Sequence, residues 1–231
     1  ALHPEACARE VRKRGADIGI TLDGDADRVI VVDEQGQVVD GDALMALCAS
    51  RMLRRRTLPK KTLVATVMSN LGLEHALRRE GGKLLRCDVG DRYVVDTMRK
   101  HGLHLGGEQS GHLIFLQHAT TGDGLVAAMQ VLAILLREQR PLSELAGEVM
   151  ERVPQILVNG TLPERRPLAK MPLTTAAIRD AEQTLGKEGR VLVRWSGTEA
   201  KLRVMVEGPS HPKIEKLAKG ILGVATGELA K

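Results

Sequence analysis

The sequence predicts an α/β protein: a mixed-sheet α/β domain, preceded by a partial domain and followed by a small α+β domain. Three observations carry that expectation. Between Gly41 and about residue 138, short apolar runs alternate with stretches of helical periodicity. Ahead of Gly41, two β-rich runs, Ile18-Gly19-Ile20 and Val29-Ile30-Val31-Val32, flank an Asp/Gly turn with a single helical stretch before them. Near Glu151 the alternation stops at a basic segment carrying Pro154, Pro163, Pro167 and Pro172, beyond which two strands lie between two helices.

In order along the chain, residues 5–14 read as a helix, 17–22 and 29–33 as strands, and Glu34-Gln35-Gly36-Gln37 as a turn into Val38-Val39. Then come helix 42–56, strand 62–67, helix 71–80, strand 83–87, helix 91–101, strand 103–106 and helix 122–138. Asn70 stands where its side chain can accept from orphan N–H groups of the helix it precedes. The apolar run Leu125 to Leu136 predicts a largely buried helix. The last unit reads helix 174–185, strand 190–195, strand 201–207 and helix 211–225. The expected domains are 1–39, 40–150 and 151–231.

The hydrophobic fraction of 43% and charged fraction of 27% are those of a globular chain that can bury a core. Phe115, Tyr93 and Trp195 are the only aromatic residues, so the core is aliphatic and stacking platforms for single-stranded nucleic acid are lacking. A net charge of +5 suits an anionic partner, and small anionic metabolites satisfy it as well as nucleic acid does. The run Arg51 to Arg56 reads as the solvated, dipole-favoured end of a helix, and no nucleic-acid partner is expected. Cys7, Cys48 and Cys87 are odd in number and widely spaced, which points to a reducing, cytoplasmic location. No apolar run reaches membrane-spanning length, so no membrane partner is expected.

The most informative stretch is Asp23-Gly24-Asp25-Ala26-Asp27-Arg28. Three carboxylates at alternate positions of a short turn repel one another unless a cation sits among them, and hard cations such as Mg²⁺ take oxygen ligands. Arg28 adds a planar fork suited to phosphate oxygens. A solvated hairpin loop competes with this reading. A calcium loop closed by Glu34 fails, because Arg28 stands where a Gly is needed, Val31 is apolar and the flanks are β-branched.

Three further segments are polar where a ligand would sit. Gly106-Gly107-Glu108-Gln109-Ser110-Gly111-His112 ends a strand, and its mixture of donors and acceptors suits a polyhydroxylated ligand, with His112 able to exchange a proton near neutral pH. A Gly-rich turn with a structural His explains it about as well. Arg194-Trp195-Ser196-Gly197-Thr198-Glu199 connects two strands and can aim N–H groups and hydroxyls at a phosphate, helped by Lys201 and Arg203; a plain hairpin turn is the alternative. Asp88-Val89-Gly90-Asp91-Arg92-Tyr93 also follows a strand, though an Asp capping its own helix accounts for it equally.

These segments, in this order, resemble the α-D-phosphohexomutase superfamily, and Gly107-Glu108-Gln109-Ser110-Gly111-His112 is similar to the bacterial phosphoglucosamine mutase variant. The resemblance runs through Val39-Asp40-Gly41-Asp42, Thr66 to Asn70, Val89 to Tyr93, His118 to Gly124 and Arg203 to Gly208. It implies a phosphohexomutase-type fold whose enzymes interconvert glucosamine 6-phosphate and glucosamine 1-phosphate. It further implies that Asp23, Asp25 and Asp27 bind Mg²⁺, that Arg28 lies beside a phosphoserine, and that His112 is an acid/base candidate. Glu108 and Ser110 would hold sugar hydroxyls, with Asp91 and Arg92 as further substrate-binding candidates. Arg194, Ser196, Gly197, Thr198 and Arg203 would grip the phosphate that does not react. The family's serine motif, of the Thr-Ala-Ser-His-Asn-Pro type, does not occur in these residues, and Ala200 stands where the family commonly has Pro. The chain therefore reads as the C-terminal half of such an enzyme, partnered by a missing N-terminal half and inactive alone. The alternatives are a non-catalytic sugar-phosphate-binding module or another phosphohexomutase.

Overall fold

The computed structural model describes residues 3–196 and 199–230, and contacts divide the chain into two compact units, Ala1–Arg152 and Val153–Lys231.

Unit 1 opens with helix α1 (Glu5–Arg14), which buries Ala8 and Val11 against an antiparallel sheet of β1 (Ile18–Leu22), β2 (Val29–Asp33) and β3 (Val38–Val39), in the order β1-β2-β3. Leu22 pairs with Val29, so Asp23–Arg28 is the connection between two paired strands. Gly19 is needed where α1 crosses, since a β-carbon there would come within 2.5 Å of Cys7 Sγ.

The second sheet of unit 1 contains β4 (Thr62–Thr66), β5 (Lys83–Cys87), β6 (Leu105–Gly107) and β7 (Leu113–Phe115), ordered β5-β4-β6-β7. β4 runs parallel to β5 and β6, and β7 returns antiparallel. Around it pack α2 (Gly41–Arg54), α3 (Leu71–Arg79), α4 (Asp91–His101), α5 (Gly124–Glu138) and α6 (Leu142–Val149). Leu63, Val64 and Ala65 of β4 are all fully buried, as a parallel strand covered on both faces requires. Asp40, Asn70 and Asp123 cap α2, α3 and α5 through the N–H groups of Ala43, Gly72 and Val126. Parallel strands have one consequence for function: the carboxyl ends of β4, β5 and β6 release segments 67–70, 88–90 and 108–112 on the same side.

In Unit 2, β8 (Gln155–Thr161), β9 (Arg190–Trp195) and β10 (Lys201–Glu207) form an antiparallel sheet ordered β8-β10-β9. Helices α7 (Pro172–Leu185) and α8 (His211–Leu229) complete its core around Leu202, Val204, Val206, Ile214 and Ile221.

Several expectations are corrected. The supposed linker contains β8, whose flanking Pro154 lies just outside the paired residues, where a missing N–H costs nothing. The eight-residue α6 and three-residue β7 were too short to show periodicity. Helix α5 is not largely buried: its small residues Ala127 and Ala128 face the core with Val131 and Ile134, while Leu125, Met129 and Leu136 are 60%, 55% and 72% exposed. Arg51 is no solvated residue either, since it is buried and bonds Glu138 through Nε and Nη2, at 2.5 and 2.6 Å. Among the described residues, no helix is long and apolar enough to cross a membrane.

Candidate active site

The β1–β2 connection gathers its acids. One oxygen from each of Asp23, Asp25 and Asp27 lies within 4.8 Å of the other two. Ala26, at φ 58°, folds the turn back so that its N–H reaches the Asp23 carbonyl at 3.1 Å, and the Arg28 N–H donates to Asp23 Oδ1 at 3.1 Å. The Arg28 Nε stands 3.9 Å from Asp23 and 4.0 Å from Asp27, with its side chain still 44% exposed. Burial pushes Asp27 above the usual carboxylate range, helped by the hydrogen bond and charge of Asp23 and opposed by His112. Desolvation also pushes Asp23 upward, but the Arg28 N–H, the bond to Asp27 and the Arg28 charge leave it net below that range. Asp27 Oδ1 is buried without a hydrogen-bond partner. An oxygen-preferring divalent cation would satisfy all three acids at once.

The β6–β7 turn is built onto this loop. The Val29 N–H, at the start of β2, donates to the Gly111 carbonyl at 3.1 Å, and Gly111 at φ 92° approaches so closely that a β-carbon would fall 2.1 Å from the Val29 oxygen. From the other side the first residue of α2, Gly41, donates to the Gln109 carbonyl at 3.1 Å. His112 is 2% exposed and directs Nδ1 at Asp27 Oδ2, 3.1 Å away. Its Nε2 has no hydrogen-bond partner and lies against Gly122, where a β-carbon would sit 2.2 Å from it. Glu108 accepts from the Gly90 N–H at 2.9 Å and from the Ser110 hydroxyl at 3.3 Å. The structure therefore brings Asp23, Asp25, Asp27, Arg28, Glu108, Ser110 and His112 into one neighbourhood.

Asp91 and Arg92 occupy the first turn of α4, and both are exposed. The N-cap is Gly90 at φ 130° and carries no side-chain cap bond, so Asp91 does not cap its own helix. Arg92 stands 3.6 Å from Asp96. The Gly90–Glu108 bond ties this turn to the β6–β7 turn.

In unit 2, Arg194 on β9 and Arg203 on β10 are directly opposite each other. Like charges so placed repel, and burial together with the Arg203 charge lowers the Arg194 pKa. Arg203 Nη2 reaches Ser196 Oγ at 3.5 Å, while its buried Nε has no hydrogen-bond partner. Ser196 itself is 2% exposed, and its N–H donates to the Lys201 carbonyl at 2.8 Å. Two opposed guanidiniums with an unmatched donor make a place for an anion. Gly197 and Thr198 lie outside the described residues.

Three residues escaped the sequence reading. Asp42 is fully buried, accepts from the Asn70 N–H at 2.8 Å, and is pushed to about 6 by that burial. Gly122 backs the His112 ring. Arg165 donates to the Ser196 carbonyl at 2.6 Å. The last had a visible signal, an arginine pair bracketed by Pro163 and Pro167; the others depend on tertiary contacts.

Comparison with known proteins agrees with this architecture. Residues 40–153 match the phosphoglucomutase/phosphomannomutase alpha/beta/alpha domain III, and residues 157–224 match the C-terminal domain of the same family. The chain belongs to the phosphoglucomutase/phosphomannomutase family. Within it, the chain is 62% identical over 230 residues to a phosphoglucosamine mutase of Sorangium cellulosum, covering 100% of this chain and 48% of that protein. It is also 54% identical to the phosphoglucosamine mutase of Pelobacter propionicus, with 100% and 51% covered. The chain thus spans about half the length of the curated relatives it matches. Among solved structures, a phosphoglucomutase/phosphomannomutase family protein from Burkholderia thailandensis superposes with TM-score 0.76 at 23% identity, over 98% of this chain and 50% of its own. An N-acetylphosphoglucosamine mutase of Aspergillus fumigatus, solved with GlcNAc-6P and magnesium, gives 0.73 at 21% identity, over 96% and 53%. At those identities the likeness shows the fold.

Proposed function

We propose that these residues form the metal-binding, sugar-binding and phosphate-gripping part of a phosphoglucosamine mutase, which interconverts glucosamine 6-phosphate and glucosamine 1-phosphate by way of a phosphoserine. The observation that carries it is the 3.1 Å contact between His112 Nδ1 and Asp27 Oδ2, which joins the turn suited to a sugar to the loop suited to a cation. Asp23, Asp25 and Asp27 hold Mg²⁺, which supplies positive charge beside the phosphoryl group in transfer. Arg28, still partly exposed, has a guanidinium to spare for phosphate oxygens. Glu108 and Ser110 offer a carboxylate and a hydroxyl to sugar hydroxyls, with Glu108 anchored by Gly90. Asp91 and Arg92, exposed on the adjoining turn, are second-rank substrate contacts. His112 Nδ1 lies 3.1 Å from Asp27 Oδ2, so any acid/base work by this ring is linked to the orientation of a candidate metal ligand. Arg194, Ser196 and Arg203 take the phosphate that is not reacting.

Two measurements test this. Calorimetry with Mg²⁺ and glucosamine 6-phosphate is expected to give saturable binding by the 231-residue chain, and no detectable heat at millimolar ligand would contradict the reading. Supplied with a hexose bisphosphate activator as well, the chain alone is expected to form no glucosamine 1-phosphate, because the serine motif does not occur among its residues. Appreciable turnover would place the phosphoryl carrier elsewhere.

A further inference from the structure

The segment after β8 behaves as a strap on the anion site of unit 2. Three hydrogen bonds fasten it to the β9–β10 connection: the Leu162 N–H donates to the Ala200 carbonyl at 3.0 Å, the Trp195 indole N–H to the Arg166 carbonyl at 2.8 Å, and Arg165 Nη2 to the Ser196 carbonyl at 2.6 Å. Pro163 and Pro167 bracket Glu164–Arg166 and restrict its backbone. A segment that served only to link two regions would have no need to bond both flanks of one short turn.

We propose that Arg165 is a positioning residue of the phosphate site: by holding the Ser196 carbonyl, it fixes the Ser196 hydroxyl beside Arg203, where a phosphate monoester would meet it. Ser196 is held at its N–H by Lys201 and at its carbonyl by Arg165, which leaves its hydroxyl, in reach of Arg203, as the group free to reorient toward a ligand. The two opposed arginines already repel, so an anion received beside them relieves a cost that the empty site carries. This inference rests on the reading of unit 2 as a phosphate grip.

Trp195, the only tryptophan, adjoins Ser196 and reports the site directly. Its fluorescence is titrated with glucosamine 6-phosphate and with inorganic phosphate in the wild-type chain, Arg165→Ala, Arg165→Lys and Arg203→Ala, alongside thermal melting of each. The expected result is binding by the wild type, a loss of about tenfold in affinity for R165A with its melting temperature unchanged, partial recovery in R165K, and loss of binding in R203A. If R165A alters melting, R165K decides: recovered affinity in R165K while its melting stays as low as that of R165A supports the inference, and affinity that merely follows melting temperature across both variants makes the role structural and overturns it. Unchanged affinity in R165A with loss in R203A overturns the inference and leaves the phosphate site standing. Failure of the wild type to bind either ligand, or wild-type affinity in R203A, overturns the site reading and this inference together.

Discussion

Gly122→Ala is expected to weaken Mg²⁺ binding without touching a ligand. The added methyl would lie 2.2, 2.3 and 2.6 Å from His112 Nε2, Cε1 and Cδ2, well inside contact distance. The ring is 2% exposed, so it cannot swing clear into solvent and must shift along the direction of its other edge, where Nδ1 holds Asp27 at 3.1 Å. Overpacking of this kind costs about 1–3 kcal/mol in stability. Losing the orienting contact of His112 on Asp27 corresponds to about a 10–100-fold rise in the Mg²⁺ dissociation constant. Calorimetric titration of the variant with MgCl₂ reads the affinity, and thermal melting reads the stability. Gly147→Ala is the control, because a β-carbon there meets nothing within 4 Å, and it should leave Mg²⁺ affinity as in the wild type. Wild-type Mg²⁺ affinity in G122A would refute the argument that this glycine, through His112, sets the position of Asp27.

Further outcomes follow from buried charge and exposed apolar surface. Asp42 rises from an ordinary 3.8 to about 6 on folding, so its favourable contribution is complete below about pH 3.8 and lost as pH climbs through 6. Asp42→Asn should remove that slope from the stability profile and raise stability at pH 8 by on the order of 3 kcal/mol, measured by urea unfolding across pH; an unchanged slope would count against it. Glu138→Ala strands the buried Arg51 guanidinium and should cost roughly 3 kcal/mol in the same assay, whereas a loss under 1 kcal/mol would mean that Arg51 rehydrates. Among the described residues β1 pairs only with β2, and the exposed Leu125, Met129 and Leu136 add apolar surface on α5, so light scattering should show concentration-dependent self-association. A clean monomer at all concentrations would refute that expectation.

Where residues announce their own chemistry, the sequence was readable. The alternating carboxylates of 23–27 describe a turn that gathers oxygen ligands, and the structure brings one oxygen from each within 4.8 Å of the others. The strand and helix rhythm of residues 41–138 was legible because parallel strands are apolar throughout and amphipathic helices between them have the other period. Asn70 could be seen as a cap, since capping is a local matter. What escaped was set by partners distant in sequence. β8 is recognisable only once β10 is beside it, because its exposed edge and flanking prolines mimic a linker. The burial of α5 was overestimated because periodicity does not reveal which apolar face has a neighbour. His112 was read for its proton, and only coordinates show that its Nδ1 lies 3.1 Å from Asp27 with Gly122 behind the ring.

The most direct test of the central claim, that the β1–β2 connection holds a divalent cation, is calorimetric titration of MgCl₂ into the wild-type chain and into Asp27→Asn at low ionic strength. One saturable site in the wild type, lost in the variant while both melt cooperatively, is the expected result. Equal binding by the two proteins, or no saturable binding by the wild type, would contradict it.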